Sequence, residues 1–136
     1  MPTSRWQRAA PLLGGAALAA AAAYVALNDP AAADSRFPAC AFRSLTGLWC
    51  PGCGLTRGTH RLLNGDLPAA LSYNVFTPLA LAAIVVTWAM WTRRSWGRPT
   101  ASLGEMLPRW WGAALATALL IYGVARNVPA LHSLAP

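Results

Sequence analysis

Lysine is absent from this chain and carboxylates are scarce: all eleven basic residues are arginine, set against Asp29, Asp34, Asp66 and Glu105 alone. Charged residues make up 11% of the 136, whereas an ordinary soluble domain carries about 25%. With the apolar runs set aside, no stretch remains long enough to bury a core of its own, which argues against a separate soluble domain. Serine, histidine and acid catalysis is thinly supplied, because no serine lies in a nucleophile-elbow context and Glu105 is expected on the opposite side from the other carboxylates. The formal charge of +7 would fit nucleic acid only if the arginines covered a solvated face. Most of them stand at the ends of apolar runs, where they anchor and orient helices, so nucleic acid is not an expected partner.

What is abundant is apolar sequence, 56% of residues, and it falls into long runs. The expected fold is all-α: one small integral membrane domain over residues 1–136, with two or three transmembrane helices and a short cysteine-bearing interfacial helix. The first run, 9–27, is about nineteen residues long, enough to span a bilayer at about 1.5 Å per residue. Arg5 and Arg8 precede it, and Ala31-Ala32-Ala33 beyond it resembles a signal-peptide cleavage site. The run is long for a signal peptide, so a retained anchor is favoured over a cleaved one. Residues 28–66 read as a polar outer loop holding a short helix over 51–63, stopped at Asn64-Gly65. Asp66 then caps a second span, 67–91, with Pro68 in its first turn and a kink near Pro78 that frees the carbonyl of Asn74. A third, shorter span covers 110–125, and 95–109 reads as a connector punctuated by Gly97, Pro99, Gly104 and Pro108.

Orientation follows from the arginines. Arg5, Arg8, Arg93, Arg94, Arg98 and Arg109 share one side; Arg36, Arg43, Arg57, Arg61 and Arg126 share the other. The bias places the amino terminus inside and the cysteines outside a cytoplasmic membrane. The lipid bilayer is then the first partner. The small-residue face of the first helix and the short last span add the expectation of a second membrane chain, another protein or a copy of this one.

Cys40, Cys50 and Cys53 are the sharpest chemical signal. Cys50 and Cys53 have the spacing of half a zinc knuckle, and Cys40 supplies a third thiolate. His60 is a poor fourth ligand, about two helical turns beyond Cys53. A second reading is thiol–disulfide chemistry by Cys50 and Cys53, a Cys-Pro-x-Cys pair opening a helix whose N–H groups lower thiol pKa. No strand pattern precedes it; residues 41–49 read as loop. A third is a structural disulfide with one cysteine left over. The spacing leaves all three open. Near them, Arg57, Asp66, Asn74, Arg126 and Asn127 should gather at the outer interface. They suit either a pocket for an anion or lipid headgroup, with Arg57 or Arg126 as donor, or a polar clasp in which Arg126 holds Asp66 or carbonyls freed around Pro78. The clasp is favoured, since buried ionised groups need partners before they are spare for a ligand.

The octapeptide Cys50-Pro51-Gly52-Cys53-Gly54-Leu55-Thr56-Arg57, followed by Gly65-Asp66 and Tyr73-Asn74, resembles a bacterial membrane family catalogued as domain-of-unknown-function family 2752. The upstream Cys40 and the closing Arg126-Asn127-Val128-Pro129 extend the resemblance. Ala41 and Val75 stand where the family pattern usually has proline. The resemblance implies a small helical membrane protein without assigned activity, and groups Cys40, Cys50, Cys53, Thr56, Arg57, Asp66, Asn74, Arg126 and Asn127 as one constellation. The functional expectation is an accessory or scaffold subunit with a structural cysteine motif, not an enzyme. The alternatives are a membrane thiol oxidoreductase and a zinc-binding module.

Overall fold

The computed structural model describes residues 5–134, the side chains of 132 and 133 excepted. Among the described residues there is no strand. Seven helices follow in order: α1 (Arg5–Leu27), α2 (Ala41–Thr46), α3 (Leu55–Leu63), α4 (Leu67–Tyr73), α5 (Thr77–Ser95), α6 (Leu103–Met106) and α7 (Trp111–Ala125), closed by a 3-10 segment, Pro129–Leu134.

Among the described residues α1 is the one unbroken helix long and apolar enough to cross a membrane. It starts earlier than the apolar run does, because residues 5–8 continue the helix and Pro11 falls where its missing N–H costs little. Only 6% of its most apolar 18-residue stretch is buried, so this helix does not form the core of a soluble fold. It packs antiparallel on α5 through small residues. A Cβ at Gly14 would come within 2.8 Å of the Trp91 ring, and one at Gly15 within 2.7 Å of Trp88. The two indoles therefore lie on bare backbone, and Trp88 Nε1 donates to the Pro11 carbonyl at 2.9 Å. Trp96 Nε1 reaches the Arg8 carbonyl at 3.5 Å, which puts the start of α1 beside the end of α5.

Three local features differ from the sequence expectation. The span expected over 67–91 is two helices, α4 and α5, bent by 103°. The break comes before Pro78, which sits in the first turn of α5 and is no kink within a continuous helix. Asn74 makes the corner: its backbone is extended, its Oδ1 accepts from Phe76 N at 3.0 Å, and its carbonyl accepts from Thr77 N at 3.0 Å. The helix expected over 51–63 begins only at Leu55, since Gly54 holds φ 85°, a left-handed conformation that ends the preceding turn and restarts the chain. Residues 41–46, expected as loop, form α2, which stops at Gly47 with φ 72°.

α3 is the hub that joins these pieces. Gly58 is buried at its centre; a Cβ there would collide with Thr77 Oγ1 and lie 3.0 Å from the Ala70 carbonyl. Its other side ties off the end of α1, with His60 Nδ1 2.8 Å from the Val25 carbonyl and Asn64 Nδ2 donating to the Ala26 carbonyl at 3.2 Å. Those carbonyls belong to the last turn of α1, which has no intrahelical donors left. Asp66 caps α4 by accepting from Ala69 N at 3.0 Å.

Candidate thiol cluster and its polar frame

Residues 50–54 make two tight turns. Cys53 N donates to the Cys50 carbonyl and Leu55 N to the Gly52 carbonyl, both at 3.1 Å. This folds Cys50 over Cys53, with their sulfurs 3.0 Å apart. Cys40, immediately before α2, brings its sulfur to 3.6 Å from that of Cys50. All three sulfurs lie within 4.8 Å of one another, and none is in a disulfide.

The turn is held from behind by α4, α7 and the bend between α4 and α5. Arg126, 1% exposed, follows the last turn of α7. Its Nη1 donates to the carbonyls of Cys53 at 2.7 Å and Cys50 at 3.2 Å, its Nη2 to Tyr73 at 3.1 Å, and its Nε to Leu134 at 2.8 Å. The planar fork of a guanidinium suits such a task, since its donors diverge in fixed directions. Asn74, fully buried, donates through Nδ2 to Pro51 at 2.8 Å and Cys53 at 3.1 Å. Asn127 pairs with Trp49 on both edges, accepting from its N–H and donating to its carbonyl, each at 2.8 Å. Every carbonyl from Trp49 to Cys53 now has a partner among these three side chains or in the turn itself.

The electrostatics of the thiols are divided. Cys40 is lowered from 9.0 to about 7, chiefly by the Arg43 backbone N–H, with the Cys53 and Cys50 thiols adding to it. Cys53 is pushed up from 9.0 to about 12, first by burial and then by the neighbouring Cys50 thiol. The cysteine pair was expected to open a helix. Instead the helix after it starts at Leu55, and Cys40, at the N-cap of α2, is the sulfur beside free N–H groups.

Of the other residues singled out from sequence, the structure brings some together and not others. Arg126, Asn74 and Asn127 converge on the cysteine turn. Asp66 does not meet Arg126: it caps α4, and the clasp closes on carbonyls instead. His60 is turned toward α1, 3.9 Å from Asp29, which also lies 3.7 Å from Arg61. Thr56 and Arg57 stand on the opposite side of the cysteine turn. They line a cavity of about 590 Å³ with Cys40, Cys53, Arg43 and Trp49. Sequence reasoning missed Arg43, whose guanidinium carbon lies 3.0 Å from the Trp49 ring centre, and Thr77, whose buried hydroxyl has no hydrogen-bond partner.

Residues 40–88 match the model of the family described as "Protein of unknown function (DUF2752)". The matched segment contains the three cysteines, α2, α3, α4 and most of α5, while Arg126 and Asn127 lie beyond it. No curated protein and no solved structure matches the chain.

Proposed function

We propose that this chain, whose residues 40–88 match that family, is a membrane-embedded metal-binding module in which Cys40, Cys50 and Cys53 ligate one soft metal ion. The observation that carries the reading is the convergence of three sulfurs within 4.8 Å on a turn whose backbone is clamped independently of them. Tetrahedral ligands about 2.3 Å from zinc stand about 3.8 Å apart. The Cys40–Cys50 separation of 3.6 Å suits this, and the Cys50–Cys53 separation of 3.0 Å needs only a small opening. A disulfide staple uses two sulfurs and strands the third; a metal ion uses all three. Thiolates select zinc or copper(I) over hard cations. A three-thiolate site also leaves one coordination position open, and two of the three cysteines, Cys40 and Cys53, line the cavity.

The membrane setting rests on the bare apolar surface of α1 and on the arrangement of charge. Arg5, Arg8, Arg93 and Arg94 share one end of the antiparallel α1–α5 pair, and the thiols lie at the other. By the positive-inside rule the thiols face outward and the amino terminus inward. α5, about 28 Å long at 19 residues, would make a second span when taken with α4 across the bend; α7, at 15 residues, is about 22 Å and would cross only with local thinning of the bilayer.

A second reading, thiol–disulfide exchange, is favoured by the division between Cys40, lowered to about 7, and Cys53, raised to about 12. Elemental analysis with thiol counting separates the two, on protein purified in mild detergent without reductant. One zinc or copper per chain with no disulfide is the expected result. No metal and a disulfide between two of the three sulfurs would sink the metal site and leave the redox reading standing.

A further inference from the structure

Among the described residues the arginines that lack a side-chain partner, Arg5, Arg36, Arg93, Arg98 and Arg109, are exposed to their surroundings, Arg57 excepted. Arg126 serves four carbonyls, Arg61 meets Asp29, and Arg94 donates twice to the Thr100 carbonyl. Arg57 differs: it is half-buried, yet its guanidinium makes no hydrogen bond or ion pair with any described residue. A partly desolvated cation without an acceptor is costly in a fold this short of charge. Arg43 lines the same cavity. It lays the face of its guanidinium on Trp49, which leaves the N–H edges free to donate.

Further donors belong to residues that line the same cavity. The N–H groups of Thr56 and Arg57 have no backbone acceptor, and the Thr56 hydroxyl makes no hydrogen bond. The Ser35 hydroxyl already accepts from Phe37 N at 3.3 Å, so its hydrogen is free to be donated. The Trp49 carbonyl is taken by Asn127. No carboxylate lines the space. Two cations and several donors thus line a cavity of about 590 Å³ that no carboxylate lines.

We infer that this cavity binds a phosphate-bearing anion, with Arg57 as the principal donor and Arg43 as the second. Guanidinium forks match the oxygens of phosphate in pairs, and a ligand with three such oxygens satisfies donors arriving from two sides. The cavity is bordered by Pro30 and Ala32, just past the end of α1. In a membrane-spanning chain that is headgroup level, so a phospholipid headgroup and a free phosphate present the same chemistry here. The inference goes beyond the metal site and draws no ligand from the thiols.

The test uses the full chain in a phosphate-free maltoside detergent, with phosphorus NMR as the readout. One arm adds inorganic phosphate; the other adds phosphatidylglycerol as mixed micelles. Saturable binding of either probe, weakened about tenfold or more in Arg57→Gln, is the expected result. Binding of inorganic phosphate identifies a free anion as the source, and binding of the lipid alone identifies the headgroup. Arg57→Gln should keep the melting temperature and the metal content of the parent. If it fails to fold, Arg57→Lys takes its place: charge is kept, the fork is lost, and binding should fall severalfold. No binding of either probe, or equal binding by the folded variant, overturns the inference. Phosphate binding by protein that holds no metal overturns the metal reading alone.

Discussion

The two ends of this molecule are built on opposite principles. Where α1 lies along α5, contact is apolar and shallow: glycines receive tryptophan rings, and large side chains such as Leu12, Leu13, Ile84 and Val85 stay exposed. Around the cysteine turn the interior is polar and closed. Three of the four largest fully buried side chains, Arg126, Asn74 and Thr77, lie there, the fourth, Pro11, sitting under Trp88 at the other end, and among the described residues only Cys53 and Ala70 make up the buried apolar core. A water-soluble protein reverses this arrangement. The difference teaches that the long helices leave their apolar surface bare, as the proposed membrane setting requires, while one end of the bundle is held together by hydrogen bonds to main-chain carbonyls.

The largest effect should come from breaking the polar end. Arg126→Ala removes a cation from four carbonyls at once and leaves those of Tyr73 and Leu134 without a donor, while Cys50 and Cys53 keep Cys53 N and Asn74 Nδ2, at a cost of about 2–5 kcal/mol. Arg126→Lys should rescue little, because one ammonium cannot reproduce a planar fork. Thermal unfolding in detergent measures both; a variant as stable as the parent would show that the carbonyl cage is incidental.

A smaller effect is expected at the apolar end. Gly15→Val drives a side chain into the Trp88 ring and should cost about 1–3 kcal/mol. Its metal content and thiol accessibility should match the parent, since the cysteine turn is framed by other elements. Loss of the metal in this variant would mean that the two ends are coupled.

The smallest and most local test grades the thiols themselves. In metal-stripped protein, alkylation of Cys40 should rise through a midpoint near 7, because its thiolate is stabilised there and is lost as pH falls below that value. Cys53 should stay unmodified until the fold opens, its thiol being held protonated to about 12. Mass spectrometry of each cysteine against pH reads this directly. Equal rates at the two sites would erase the distinction between the edge of the polar end and its centre.

The apolar end was the more legible in sequence, and physics explains why. Runs such as 9–27 and 110–125 announce helices by composition, and local chemistry marks Asp66 as a cap and Gly65, at φ 84°, as a stop. The corner at Asn74 was harder to see. Pro78 is the conspicuous breaker, but it is at ease in a first turn, and the bend comes from an asparagine side chain bonding the backbone of residues 51, 53 and 76. α2 was hidden because six residues without a side-chain cap carry almost no local signal. For Arg126 the sequence offered Asp66 or carbonyls freed around Pro78, and the acceptors are carbonyls of other residues. Carbonyl acceptors carry no mark in a sequence, so a partner set of Cys50, Cys53, Tyr73 and Leu134 was not readable there. Arg43 was passed over because stacking on Trp49 depends on how α2 folds back.

The reach of Arg126 has a consequence for biogenesis. It meets the cysteine turn across 73 and 76 residues of sequence. A ribosome therefore delivers all three thiols, α3 and the α4–α5 corner well before the side chain that secures them. Until α7 is in place, the turn has its own backbone bonds and Asn74 to hold it, but neither Arg126 nor Asn127. The last helix thus acts as a latch on assembly: a chain that stalls after α5 carries the thiols on a turn held from one side alone.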